Sequence, residues 1–158
     1  MQRTSRLAIG FASLVSAGIL TAGTGPSAQE PGKCSLETLR GQYMVSATGT
    51  LFPPAFGVSQ ASTSNAAGYS VYNGDGTGMD WVTFTVNGHN VGVPSPAHTT
   101  YILNSDCTGT RTVLPSGPHF NIFVAVDGSA LTEIATDPGF AETELDTRVG
   151  NYWDWSSQ

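Results

Sequence analysis

Of the residues able to do chemistry, His119, Asn121 and Glu133 are those that strand periodicity could bring into one place. In HFNIFVAV, His119, Asn121, Phe123 and Ala125 share one face, with Phe120, Ile122, Val124 and Val126 on the other. In the following segment, Leu131, Glu133 and Ala135 alternate with Thr132, Ile134 and Thr136. If the mixed faces turn inward, a histidine meets a desolvated carboxylate. Burial raises the carboxyl pKa and a nearby cation restrains it, the poise an acid/base pair requires. The pattern fits the opposite arrangement equally well, with the wholly apolar face of HFNIFVAV inside and His119 in water. Tyr43 adds a phenol to the candidates for proton transfer.

A second group has the chemistry of ligand binding. Tyr69 and Tyr101 lie in strand-like segments, as does Arg111, so a phenol or guanidinium could orient a polar group. An inward arginine in a small barrel needs a buried carboxylate or an anionic ligand, and alternation with Val113 leaves its direction open. Phe52 and Phe56 flank Pro53 and Pro54 in LFPPAFGVSQASTSN, a long connection from 51 to 65. They either cap a core or gate a cavity mouth. Asn121 would join them if its face points inward. No G-x-S-x-G, HExxH or phosphate-cradling loop occurs, so no cofactor is implied. Cys34, Cys107, His89, His98 and His119 have no zinc-like spacing, and NGDGTG at 73 to 78 lacks the ligand pattern of a calcium loop; no metal is expected.

The elements that must position these residues read as strands. CSLETLRG offers Ser35 as an N-cap, Leu36 and Leu39 as an apolar pair and Gly41 as a stop, which is a short N-terminal helical turn. Thereafter QYMVSATG, AAGYSVYN, MDWVTFTV, HNVGV, TTYILN, TGTRTVL, HFNIFVAV, SALTEIAT and AETELDTRV are short runs rich in β-branched and aromatic residues. NGDGTG, Asn87-Gly88, NSDCTG, PSGP and Asp127-Gly128 supply hairpin turns, and nothing between the strands is long enough for a crossover helix. The chain is therefore all-β: an antiparallel meander β-barrel of eight or nine strands, with a β-sandwich as the alternative. The barrel is preferred because closure removes exposed edges.

Composition sets the limits. The 158 residues include 19 Gly and 9 Pro but only 18 charged side chains, with a net charge of -6, which fits one domain and offers nothing to a phosphate backbone. MQRTSR followed by the uncharged LAIGFASLVSAGILTAG reads as a secretory signal peptide over 1–28, too short an apolar run for a membrane span. The domain of 29–158 then keeps Lys33, Arg40, Arg111 and Arg148 against all 12 acids, a net charge of -8. In an oxidising compartment, periplasmic or extracellular, Cys34 and Cys107 are expected to form one disulfide. The tail NYWDWSSQ, with Tyr152, Trp153 and Trp155, packs on the barrel wall, frays or recognises a partner.

CSLETLRGQY at 34 to 43, NSDCTGT at 104 to 110, GPHFNIFVAVDG at 117 to 128 and IATDPG at 134 to 139 resemble, in content and order, an uncharacterised exported bacterial family with CSxxTLxGxY and NxDCTGT motifs. The resemblance carries no catalytic residues with it. More loosely, a meander barrel stapled near its start is similar to calycins such as lipocalins and to allene oxide cyclase-like barrels, although Gly41-Gln42-Tyr43 stands where lipocalins have G-x-W. Three functions follow: binding of a small apolar or amphipathic ligand in the barrel, a cyclase or isomerase in the same cavity, or an extracellular interaction module with a filled interior.

Overall fold

The structure is a computed structural model that describes residues 33–91 and 96–150. A 3-10 turn at Leu36–Leu39 precedes β1 (Gly41–Leu51), and a second 3-10 turn at Ala55–Gly57 leads to β2 (Ser62–Tyr72) and β3 (Thr77–Val86). There follow β4 (His89–Asn90), β5 (Ala97–Leu103), β6 (Thr108–Val113), β7 (His119–Val124), β8 (Ala130–Ala135) and β9 (Phe140–Gly150). Eight of these strands form one closed antiparallel meander, because β2 pairs with β3 and β9 returns to β1. The two-residue β4 only extends the hairpin from β3. A sandwich is excluded by the continuous closed sheet, and of HNVGV, described only as far as Val91, His89 and Asn90 are in a strand. The connection expected over 51–65 is also shorter, since β2 already begins at Ser62 and pairs with Leu51. The signal peptide expected over 1–28 and the aromatic segment 151–158 lie outside the described residues.

The turns work by one repeated device. Asp75 Oδ1 accepts from the Thr77 amide and hydroxyl at 2.9 and 2.6 Å, Asp106 Oδ1 from the same groups of Thr108 at 3.1 and 2.7 Å, and Asp127 Oδ1 from the Ser129 amide at 3.0 Å. A short carboxylate two residues ahead thus substitutes for a backbone acceptor and fixes each hairpin locally.

One end of the barrel is shut. The Cys34–Cys107 disulfide ties the N-terminal turn to the β5–β6 hairpin, and the Cys34 amide donates to Ser105 O at 3.1 Å. Across the opening, Tyr101 Oη donates to Leu36 O at 3.0 Å and Arg148 Nη2 to Thr38 O at 2.6 Å. Gly128 sits at φ +66°, where a Cβ would overlap the Thr38 carbonyl, so this hairpin reaches the turn only because it has no side chain there. Beneath the turn, Tyr43, Tyr72 and Tyr101 pack edge to face, with centroids 5.3 and 5.4 Å apart. Leu39, Leu131, Ile122 and Val124 complete this buried half.

The cross-link closes a loop spanning 73 residues. Cys34→Ala/Cys107→Ala should lower the unfolding free energy by ~4 kcal/mol on the chain-entropy account. Urea denaturation of the two forms measures this, and equal midpoints would show that the turn plugs the barrel without the bond.

Candidate functional site

Strand alternation decides which side chains meet inside. On β7, Phe120, Ile122 and Val124 point inward, leaving His119 and Asn121 exposed, whereas on β8 Glu133 is wholly buried. The pair expected to meet in one cavity therefore lies on opposite sides of the wall: His119 Nδ1 is 2.9 Å from Asp137 Oδ1 in the outer rim. The reason is the apolar face of HFNIFVAV, whose transfer from water outweighs the benefit of bringing a histidine indoors. Tyr69 is likewise exposed, opposite Trp81 on the outer surface. Tyr43 and Tyr101 are interior but serve the closed end, Tyr43 Oη donating to Gly128 O at 2.7 Å and accepting from Arg148.

Arg111 does point inward, and it organises the middle of the barrel. Its Nε donates to Glu133 Oε1 and Oε2 at 2.9 and 2.7 Å, Nη1 to Asp80 Oδ2 at 2.7 Å, and Nη2 lies 2.6 Å from Glu133 Oε2 and 3.1 Å from Glu144 Oε1. The guanidinium also stacks on Phe120, 4.7 Å from the ring centroid. Outer hydrogen bonds hold the acids: Ser70 Oγ to Asp80 Oδ1 at 2.8 Å, Ser64 Oγ to Glu142 Oε2 at 2.9 Å, and Tyr72 Oη 3.2 Å from both Glu133 Oε1 and Asp146 Oδ2. Thr99 Oγ1 is buried without a hydrogen-bond partner, and Asp146 Oδ1 meets no donor, although the raised Asp146 carboxyl shares a hydrogen bond with Glu144.

Five carboxyl groups, from Asp80, Glu133, Glu142, Glu144 and Asp146, are thus buried around Arg111, the one buried cation among the described residues. Burial pushes Glu133 up to about 7 against the restraint of Arg111, with Glu144 adding to the rise. Burial also raises Glu142 and Glu144, and holds Asp146 well above the usual carboxylate range. Burial alone would lower Arg111, but Glu133, Tyr72, Asp80 and Glu144 outweigh it and keep the guanidinium charged. Tyr72 is raised well above a normal phenol, by burial first and then by Glu133, so it acts as a donor. Oxygens of Glu133, Glu144 and Asp146 come within 4.8 Å of one another, a spacing a divalent cation could bridge, yet Arg111 already occupies two of these three groups.

Above this layer the barrel is hollow. A cavity of about 340 Å³ opens at the end opposite the N-terminal turn, walled by Phe84, Phe120, Phe140, Val82 and Val113 and floored by Asp80, Arg111, Glu142 and Glu144. Residues 114–118 and Phe56 form its rim. Phe56 is held at φ +50°, a conformation rare for a side-chain-bearing residue, with its ring 5.2 Å from Phe140 and 5.7 Å from Phe84. Phe52 faces a separate shallow outer depression beside Ile134 and Asp137. Of the residues considered for ligand contact, then, Arg111 and Phe56 reach the cavity, while Phe52, Tyr69, Tyr101 and Asn121 do not line it.

The functional residues not singled out from sequence are Asp80, Glu142, Glu144, Asp146 and Tyr72. For the three acids of β9 the signal was present in AETELDTRV, where Glu142, Glu144, Asp146 and Arg148 occur at a spacing of two and so share a face. The class defined by fold and interior is a closed eight-stranded meander barrel with one open end and a charged floor. No protein-family model, curated protein or solved structure matches the chain.

Two outcomes follow. Arg111→Leu strands buried carboxylates and should cost ~3–5 kcal/mol in chemical denaturation; a loss below ~1 kcal/mol would mean that these acids are neutral with or without it. Stability should also fall with rising pH. Glu133 titrates at 4.5 when unfolded and near 7 when folded, so the native state binds more protons across that window and loses stability as pH climbs through it. Glu142, Glu144 and Asp146 shift in the same direction, while the lowered turn aspartates Asp75, Asp106 and Asp127 act oppositely only in stronger acid. The thermal midpoint is expected to be higher at pH 5 than at pH 8, and the reverse order would contradict this assignment.

Proposed function

We propose that the protein is an exported binding protein that holds one small amphipathic molecule in the open half of its barrel. The observation that carries this reading is the cavity of about 340 Å³ with phenylalanine walls over a charged floor. Ligand sites combine that volume and apolar lining with a few placed polar groups. Eight-stranded barrels are wide enough either to be filled by side chains or to hold one small ligand, and this one keeps its cavity on the side of Arg111 away from the N-terminal turn.

The composition of the floor supports the same reading. A buried ion cluster is a poor way to stabilise a core, since well-packed apolar side chains of similar volume do as well or better. Its position against an open cavity gives it a use in orienting a ligand. Export is supported by the disulfide, and no helix among the described residues is long and apolar enough to cross a membrane. Catalysis of the cyclase type lacks its proposed pair, because His119 lies outside.

Ala66 lines the cavity on β2, and Ala66→Trp fills the space from the wall. The neutral fluorophore N-phenyl-1-naphthylamine should bind wild type saturably, with enhanced emission, and Ala66→Trp at least tenfold more weakly while the circular dichroism spectrum is unchanged. A wild-type protein that gives no enhancement would remove the binding reading in favour of an interaction module.

A further inference from the structure

The floor of the cavity is not neutral towards the head group it receives. Its polar side chains are Asp80, Glu142, Glu144 and Arg111, three acids against one base. The base is already engaged: Nε and Nη2 face Glu133 and Glu144, Nη1 faces Asp80, and one face of the guanidinium lies on Phe120. The N–H that remains on Nη1 opens beside Asp80, Glu142 and Glu144, so an incoming carboxylate or phosphate would meet three acids for one free donor.

Acceptors, by contrast, are in surplus. Both oxygens of Asp80 are engaged, by Ser70 and Arg111. The Ser64 bond occupies only Oε2 of Glu142, leaving Oε1, while Glu144 accepts from Arg111 at Oε1 and from the Asp146 carboxyl. Glu142 and Glu144 sit two residues apart on the inner face of β9, 4% and 6% exposed, so any group meeting them is itself removed from water. Above them Phe56, Phe84, Phe120 and Phe140 surround the space, with ring centroids 5.2 to 6.4 Å apart between neighbours. Aromatic faces attract cations, and buried carboxylates short of positive charge do so more strongly.

We infer that the cavity takes an organic cation, a primary amine or ammonium group on an apolar body, with its head between Glu142 and Glu144 and its body against Phe84, Phe120 and Phe140. This rests on the binding reading above and adds the ligand's chemical class. Burial is what raises the Glu142 and Glu144 carboxyls, and a cation seated beside them would offset that cost.

Isothermal titration of the disulfide-bonded protein at pH 8 with octylamine, octanol and octanoate separates the two readings. One charge-assisted hydrogen bond gained in a buried site predicts about tenfold tighter binding of octylamine than of octanol. Octanoate should bind more weakly than either. In Glu144→Gln the ratio of amine to alcohol affinity should fall to less than about a third of its wild-type value, whatever change the three probes share. Octanol binding as tightly as octylamine would overturn the inference and leave the cavity reading standing, and so would octanoate binding best, with Arg111 then the anchor. Heat from none of the three would overturn both.

Discussion

A single guanidinium enclosed by carboxylates governs the interior of this protein. Charges buried in a β-barrel cannot be separated from their partners without an uncompensated desolvation cost, so Arg111 fixes where Asp80, Glu133 and Glu144 must stand. Arg111 stands on β6, Asp80 on β3, and Glu133 and Glu144 on the neighbouring β8 and β9, none of which pairs with β6. The ion cluster thus spans the barrel and sets the distance between strands that share no backbone hydrogen bonds. The hydroxyls of Ser64, Ser70 and Tyr72 extend it to β2.

This layer divides the molecule in two. Below it, three tyrosines and the N-terminal turn pack the space completely, and the hydrogen bonds of Tyr43, Tyr101 and Arg148 seal it. Above it, Phe84, Phe120 and Phe140 meet around the space that remains, and Phe56, at φ +50°, reaches over the rim onto Phe84 and Phe140. A rigid closed half with an open half above is an arrangement in which the scaffold bears the folding and the mouth is free to recognise.

Much of the fold could be read from the residues, because strand and turn signals are local. The β-branched runs and the Asn-Gly and Asp-Gly turns each declared themselves within a few positions, and the two cysteines, 73 residues apart, had only each other to pair with. The site could be read only in part. Alternation tells which residues share a face but not which face is inside, and for HFNIFVAV the apolar set won over His119 and Asn121. On AETELDTRV the logic inverted: Glu142, Glu144 and Asp146 went inward while Leu145 stayed 51% exposed. That inversion depends on Arg111 in a distant strand, so no local pattern could announce it.

The pairing of the first wall strand with the last has a kinetic meaning. Val45 lies against Asp146, so the seam that closes the barrel joins positions 101 residues apart. Such a seam is slow to find, because chain entropy is spent before any contact rewards it. The Cys34–Cys107 bond shortens the route: through it the two seam residues are about half as far apart along the covalent path. By loop-closure scaling that halving is worth only ~0.6 kcal/mol, a few-fold in rate. The bond that plugs one end thereby also brings the last strand sooner to its place, and shortens the time for which β1 and β9 stand as open edges on which another chain could build.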